Sequence, residues 1–417
     1  MNRRRYLTGL GAVTLGSVLA GCSASQSEDD GDAENRTDTD NDGEKHGDSS
    51  VVPEGIERIE ETFYRQLEHE IHHGAQLAVY KEGELVVDLA GGVTGPEGGE
   101  TERDTRHILF STTKPYTAGC VHRLVDRSDV AYDDAVVDHW PAFADGDSGK
   151  EEITIRQVLT HQSGLPAIPS IDDDYSVWNE PDEKERRVEQ AELIHPPGAA
   201  VQYHLLSYGW ILGGLVRQVT GKRLDQFAKA ELFAPLGMDD TSIGLGKDED
   251  TAVATLVGFD PYDQIEDPSE EDAAYNAEVA ASFNSEQVQS GVVGGANGIG
   301  TARDLARFYQ CLLADGEDVF SADIVDEWTS VQVEEADEDG GYSRWGLGVS
   351  FGGAPMDSYG VTAPQTTYGH GGLGSIISWA DPVHDLAFAY VTNGIRDGYE
   401  HGERASTMAD TVRHELW

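Results

Sequence analysis

The order of the patterned segments limits the fold more than any other feature of the chain. Strand-like alternation appears early, at residues 76–80 and 85–89 around the turn Glu82-Gly83-Glu84, and returns only late, at 345–351, 375–379 and 386–391. Between them the pattern is helical and loop-like. The clearest helices are 155–160, 208–219 and 224–232, followed after a glycine-rich turn by 302–313. Helical periodicity also covers 56–73, the stretch from Ser111 to about 125, and the end from about 406 to 416. A sheet whose early and late strands meet, with helices on it and a helical insertion between them, satisfies this order. We therefore expect an α+β fold: an antiparallel sheet flanked by helices, built from about 51–129 and 284–417, with a mainly helical part at about 130–283. No repeat of fixed period is visible.

Charge narrows the functional classes. The 417 residues carry a formal net charge of −48, with 29 Lys plus Arg against 77 Asp plus Glu. A nucleic-acid partner needs a basic face, so this balance rules out nucleic acid as a default partner. The excess is not confined to a tail, because the part beyond residue 50 alone carries −43. Such self-repulsion is screened over about 3 Å in 1 M salt and about 10 Å in 0.1 M salt. With only eight lysines, the surface reads as adapted to high salt.

The first residues read as an address. Arg3-Arg4-Arg5-Tyr6-Leu7 precedes an apolar run at 10–20 that is too short to span a bilayer, as in a signal peptide of the twin-arginine type. Leu19-Ala20-Gly21-Cys22 resembles a lipoprotein lipobox, which implies cleavage before Cys22 and a lipid on its sulfur. Residues 23–50 are acidic and polar and cannot bury apolar surface, so a disordered tether is expected there. The layout is a signal (1–22), a tether (23–50) and a domain (51–417), exported and lipid-anchored to the outer face of the cell membrane. Past Cys22 only Cys120 and Cys311 remain, each in an expected helix, and they read as small buried side chains.

Three short patterns fail on context. His69-Glu70-Ile71-His72-His73 fits a zinc-binding H-E-x-x-H, yet it ends against Gly74 and no third ligand is placed nearby. Gly348-Val349-Ser350-Phe351-Gly352 fits a nucleophile elbow, but Gly353-Ala354-Pro355 forbids the helix that must follow. Gly369-His370-Gly371-Gly372-Leu373-Gly374 fits a dinucleotide loop, but a strand follows it. A fourth pattern has the context its chemistry requires. In Ser111-Thr112-Thr113-Lys114, one helical turn separates a hydroxyl from an amine, so the amine can take the hydroxyl proton. A free lysine titrates near 10.4, so the site must desolvate it or set another cation beside it. The Ser111 N–H, at the start of a helix, favours a developing oxyanion.

Taken with Tyr203-His204 in the middle and His370-Gly371-Gly372 near the end, this pattern resembles the serine β-lactamase and penicillin-binding-protein superfamily, especially its class C-like esterase branch. Supporting matches are Leu159 to Leu165, Pro197-Gly198, Gly209-Trp210 to Thr220-Gly221, Leu232 to Met238 and Gly298 to Ala306. The resemblance implies a cleft between a sheet part and a helical part. In it Ser111 would be the acylated nucleophile, Lys114 its activator and Tyr203 a partner in proton transfer. His370 would contact substrate or tune Tyr203, and the N–H groups of Ser111 and Leu373 would form the oxyanion hole. Gly371, Gly372 and His204 would line the substrate. His161, in a loop that packs in relatives, reads as structural, and Trp210 and Trp345 read as core. Two departures point toward esters: the amide of Tyr-x-Asn is missing, and the late lysine is replaced by His370. The resemblance implies no metal or organic cofactor and a small acyl substrate. The alternatives are a D-Ala-type peptidase or β-lactamase, an inactive penicillin-recognising sensor, and a zinc peptidase on His69 and His73.

Overall fold

A computed structural model describes residues 56–246, 252–259, 270–336, 342–352, 358–396 and 398–417. The expected signal, Cys22 and the tether lie outside the described residues, as do Gly353-Ala354-Pro355. Thirteen strands occur among the described residues. In chain order they are β1 (Gly74–Lys81), β2 (Glu84–Gly92), β3 (His107–Ile108), β4 (Ser242–Ile243), β5 (Val257–Gly258), β6 (Gly298–Gly300), β7 (Val333–Ala336), β8 (Tyr342–Trp345), β9 (Ser350–Phe351), β10 (Tyr368–Gly372), β11 (Ile376–Asp381), β12 (Leu386–Thr392) and β13 (Gly394–Ile395).

Eight of them form one antiparallel sheet in the order β2-β1-β12-β11-β10-β9-β8-β7, so the first strands of the chain do lie against its last. Helices cover both faces of its central strands. On β12, Leu386, Phe388 and Tyr390 join a core with Ile59 and Phe63 of helix Glu57–Glu68 and with Met408 and Val412 of helix Gly398–Leu416. The alternate residues Ala387, Ala389 and Val391 face the other core, with Leu305 and Phe308 of helix Ala302–Leu313. This period of two, with small side chains on one face and large ones on the other, lets two layers of helix dock at different depths. Two small sheets stand apart, β3-β6-β4 and β13-β5. Through β4 and β5 the chain within 130–283 returns to strands of the late half. Helices Ile155–Leu159, Pro181–Glu189 and Ser207–Thr220 make up much of the remainder of that range.

Three expected elements differ in extent. The first helix stops at Glu68 rather than 73, because Gly74 already opens β1, paired with Gly92, and the chain has to reverse between them. Glu70 does so with φ 55, and the Ile71 N–H bonds back to the Gln66 carbonyl. The strand expected over 345–351 is broken between β8 and β9 by a turn in which Gly348 takes φ 99. The last helix begins at Gly398, several residues early. Its first turns bury Glu400 against Arg396 and bond Arg404 to the carbonyls of Gly374 and Gly394, so the buried face there is polar and hidden from an apolar pattern.

Candidate active site

Phe110, at φ 45, turns the chain sharply out of β3 into a single 3₁₀ turn, Ser111–Thr113, that runs directly into helix Lys114–Asp126. Side-chain hydrogen bonds hold the turn. Thr112 Oγ1 donates to the Leu109 carbonyl at 2.6 Å, Thr113 Oγ1 donates to the Phe110 carbonyl at 2.5 Å, and the Gly298 N–H of β6 donates to Thr113 Oγ1 at 2.6 Å. Ser111 is thereby fixed at the helix start, almost fully buried.

Lys114 lies one turn on, with its Nζ 3.2 Å from Ser111 Oγ. The same Nζ donates to the carbonyls of Leu205 and Gly295, each at 2.8 Å. Burial pushes the Lys114 amine well below its usual 10.5. If the amine is neutral and gives its two N–H groups to the two carbonyls, the remaining tetrahedral position, its lone pair, faces the serine. A neutral lysine in this setting is a base.

Tyr203 comes from a stretch without regular secondary structure before helix Ser207–Thr220. Its ring lies 4.7 Å from Lys114 Nζ. Burial raises the phenol pKa, and the Ser111 hydroxyl opposes that rise. From the other side β10 packs against the Ser111 turn, with the His370 ring 6.1 Å from that of Tyr203. His370 Nδ1 donates to the Gly371 carbonyl at 2.7 Å, so Nε2 is the unprotonated nitrogen, and it has no partner among the described residues. Burial, with Lys114 adding to it, lowers the His370 pKa from 6.5 to about 3.

Gly372 explains how the strand comes so close. A Cβ on it would stand 2.7 Å from the Leu109 carbonyl and 3.4 Å from Phe110 Cβ. This approach brings β10 up to the turn that carries Ser111, and neither the Ser111 nor the Leu373 N–H is engaged in the loop and turn hydrogen bonds around them. Gly371 is less confined, with nothing nearer than 3.8 Å to a Cβ placed there.

Ser111, Lys114, Tyr203 and His370 thus converge, but the His204 ring is engaged elsewhere. Its Nε2 bonds Ser163 Oγ at 2.5 Å and its Nδ1 donates to the Gln202 carbonyl at 2.7 Å, leaving no ring nitrogen for a substrate. Adjacent in sequence, Tyr203 and His204 face different ways, which the motif alone does not reveal. Two residues read as packing belong to the site's wall. Trp345 stacks on Tyr203 at 5.8 Å and 26°, and His161 packs 4.8 Å from Tyr203 and 4.4 Å from Trp345. Trp210 is core, donating its Nε1–H to Asp172. Cys120 and Cys311 are both buried and free.

The competing patterns fall apart in space. His69 caps the end of helix Glu57–Glu68, so His69 and His73 do not share a helical face, and no cluster of metal-ligating side chains occurs among the described residues. Ser350 lies in β9, with its hydroxyl 2.5 Å from that of Tyr359. Gly369 to Gly374 form β10 and its hairpin turn into β11.

The beta-lactamase family profile matches residues 59–412, nearly the whole described chain. The chain belongs to the beta-lactamase family. It is a serine hydrolase of that family, and its relatives include esterases. The esterase/beta-lactamase LipL of Mycobacterium tuberculosis is 30% identical, the match covering 77% of each chain. Among solved structures, a family VIII carboxylesterase superposes with TM-score 0.76 at 27% identity, over 88% of this chain and 99% of that one. A penicillin-binding-protein homologue from Caulobacter crescentus gives the same TM-score and coverage at 29% identity.

Proposed function

We propose that this beta-lactamase-family hydrolase cleaves neutral carboxylic esters through an acyl-enzyme on Ser111. The observation that carries the reading is the Lys114 amine, buried, held by two carbonyls and directed at the Ser111 hydroxyl. Lys114 Nζ takes the hydroxyl proton as Ser111 Oγ adds to the ester carbonyl, and the resulting oxyanion sits between the N–H groups of Ser111 and Leu373. On collapse the C–O bond breaks, and the proton passes through the Tyr203 hydroxyl to the departing alkoxide. Water, giving up its proton by the same route, then releases the acid.

Uncharged surroundings favour an ester without a carboxylate. His370 stands where a family lysine would grip a carboxylate, and it is held neutral by burial. The neighbouring wall is aromatic, made by Tyr203 and Trp345. The esterase names among the relatives point the same way. Intact-mass detection of an acyl adduct after mixing with a short-chain nitrophenyl ester in molar salt tests the reading, with Ser111→Ala as control. An adduct that survives in Ser111→Ala rejects the nucleophile; faster turnover of a chromogenic cephalosporin than of the ester rejects the substrate class.

We also propose that the enzyme is exported and anchored to the outer face of the membrane through Cys22, with the acidic stretch 23–50 between anchor and hydrolase, and that it works in high salt. The support is Arg3-Arg4-Arg5, the lipobox-like Leu19 to Cys22 and the −48 net charge. Cys22→Ser should move the protein from the membrane fraction to the soluble fraction, and unchanged fractionation rejects the anchor.

A further inference from the structure

Tyr203 is the one group of the four that regular structure does not hold: residues 201–204 belong to neither helix nor strand. Its ring must still be placed well enough to reach Ser111. The peptides on both sides of it are tied to a single residue. The Gln202 N–H donates to the His161 carbonyl at 2.9 Å, and the His204 N–H donates to His161 Nδ1 at 3.1 Å.

His161 is itself firmly placed. It follows helix Ile155–Leu159, whose start is closed by a reciprocal Thr154–Gln157 capping box, and its N–H donates to the Val158 carbonyl. Its backbone is left-handed, at φ 63, a conformation uncommon for residues with a Cβ and best tolerated by Asn, Asp and His. Because Nδ1 accepts a hydrogen bond, the ring proton resides on Nε2. That N–H has no acceptor among the described residues, and the ring packs against Tyr203, Trp345 and Tyr208 instead. Two residues on, Ser163 bonds the His204 ring, so the loops 161–163 and 202–204 are joined at three points.

We infer that His161 is a positioning residue for Tyr203: by accepting the two N–H groups that flank it, with its carbonyl and with Nδ1, it sets where the phenol meets Ser111. The inference rests on the proton-transfer role proposed for Tyr203. It makes His161 a part of the reaction's geometry rather than a packing residue, and it requires that the acceptor at the δ position matter more than the ring.

Three substitutions separate those possibilities. His161→Phe keeps a ring and removes the acceptor, His161→Ala removes both, and His161→Asn keeps an acceptor at the δ position on a residue that tolerates the left-handed backbone. With nitrophenyl butyrate, Phe and Ala should lower kcat about 10²-fold with KM nearly unchanged, as expected when a catalytic group shifts by about 1 Å, while Asn should return kcat to within about tenfold of the parent. In a Tyr203→Phe background, adding His161→Phe should cost little further. Parental kcat in His161→Phe, an Asn variant no better than Phe, or fully additive losses in the double variant would each overturn the inference. So would loss of cooperative unfolding in both His161→Phe and His161→Asn, which would make the residue one of fold alone. Full activity in Tyr203→Phe by itself rejects the role of Tyr203, and that result is distinct from any of the others.

Discussion

Lys114 Nζ stands 3.2 Å from Ser111 Oγ with its other two hydrogen-bond directions ending on the carbonyls of Leu205 and Gly295. Burial disfavours the charged form of that amine. A carbonyl can only accept, so it leaves the lone pair free for the one neighbour that has a proton to give. Nearby, burial and Lys114 lower the His370 pKa to about 3, so that imidazole is neutral.

Lys114→Arg tests this directly. A guanidinium stays protonated at any working pH and cannot act as a base, although it supplies a positive charge and hydrogen-bond donors. We expect kcat to fall by about 10² to 10⁴, the usual contribution of a positioned base, and no acyl adduct to accumulate by mass. An arginine variant as active as the parent would mean that Lys114 acts by charge, contrary to the geometry.

Stability should depend on pH with a definite sign. His72, His107, His122, His161, His204, His370 and His401 are buried, and burial lowers the pKa of each, to about 4 at His107 and His204 and about 3 at His122, His370 and His401. Unfolded imidazoles protonate near 6.5. Between those values the unfolded chain binds more protons, so stability is full above 6.5 and falls with pH, by about 1.4 kcal/mol per pH unit for each imidazole. Asp172 and Asp304, raised by burial to about 7 and about 6, act in the opposite sense, but they are two against seven. The melting temperature, at fixed salt, should therefore drop steeply from pH 6.5 to 4. A flat profile there would mean that these histidines are protonated in the folded state.

The sheet and the Ser111–Lys114 contact were legible from sequence because both are local. Alternation marks β1, β2, β11 and β12, and the Ser111–Lys114 contact needs only one turn of chain. His161 was not, since its partners in the site come from residues 202–204 and 345 and its hydrogen bonds are to backbone, which carries no sequence signature. His204 was misjudged for the related reason that a motif fixes neighbours in sequence but not the side to which each turns. The early start of the last helix escaped because Glu400, His401 and Arg404 are buried by pairing with one another's surroundings rather than by being apolar.

The two glycines after His370 should behave differently. At Gly372 a methyl group would stand 2.7 Å from the Leu109 carbonyl, so Gly372→Ala must push β10 away from the Ser111 turn and with it the Leu373 N–H. Losing one such donor lowers kcat by about 10² to 10³. At Gly371 the nearest atom is 3.8 Å from a Cβ, so Gly371→Ala should fold and keep most of its activity. Equal losses in the two variants, measured by kcat at matched melting temperature, would show that the close approach at Gly372 is not what places the donor.

A change of charge at His370 should redirect the substrate preference. The parent site presents an amine at 114 whose charged form burial disfavours and an imidazole whose pKa burial lowers to about 3, so a substrate carboxylate finds little positive charge beside Ser111. His370→Lys supplies one in the middle of β10. The new ammonium attracts a carboxylate-bearing cephalosporin and gives nothing to an uncharged ester, and a differential attraction of only about 1.4 kcal/mol changes a ratio tenfold. The same ammonium also lies near Lys114 and further disfavours protonation there, so ester turnover should survive. We therefore expect kcat/KM for cephalosporin over nitrophenyl ester to rise by at least about tenfold, and the rise to shrink as salt is added. An unchanged ratio in a folded, esterolytic variant would place the substrate's acid group, and hence the basis of discrimination, away from His370.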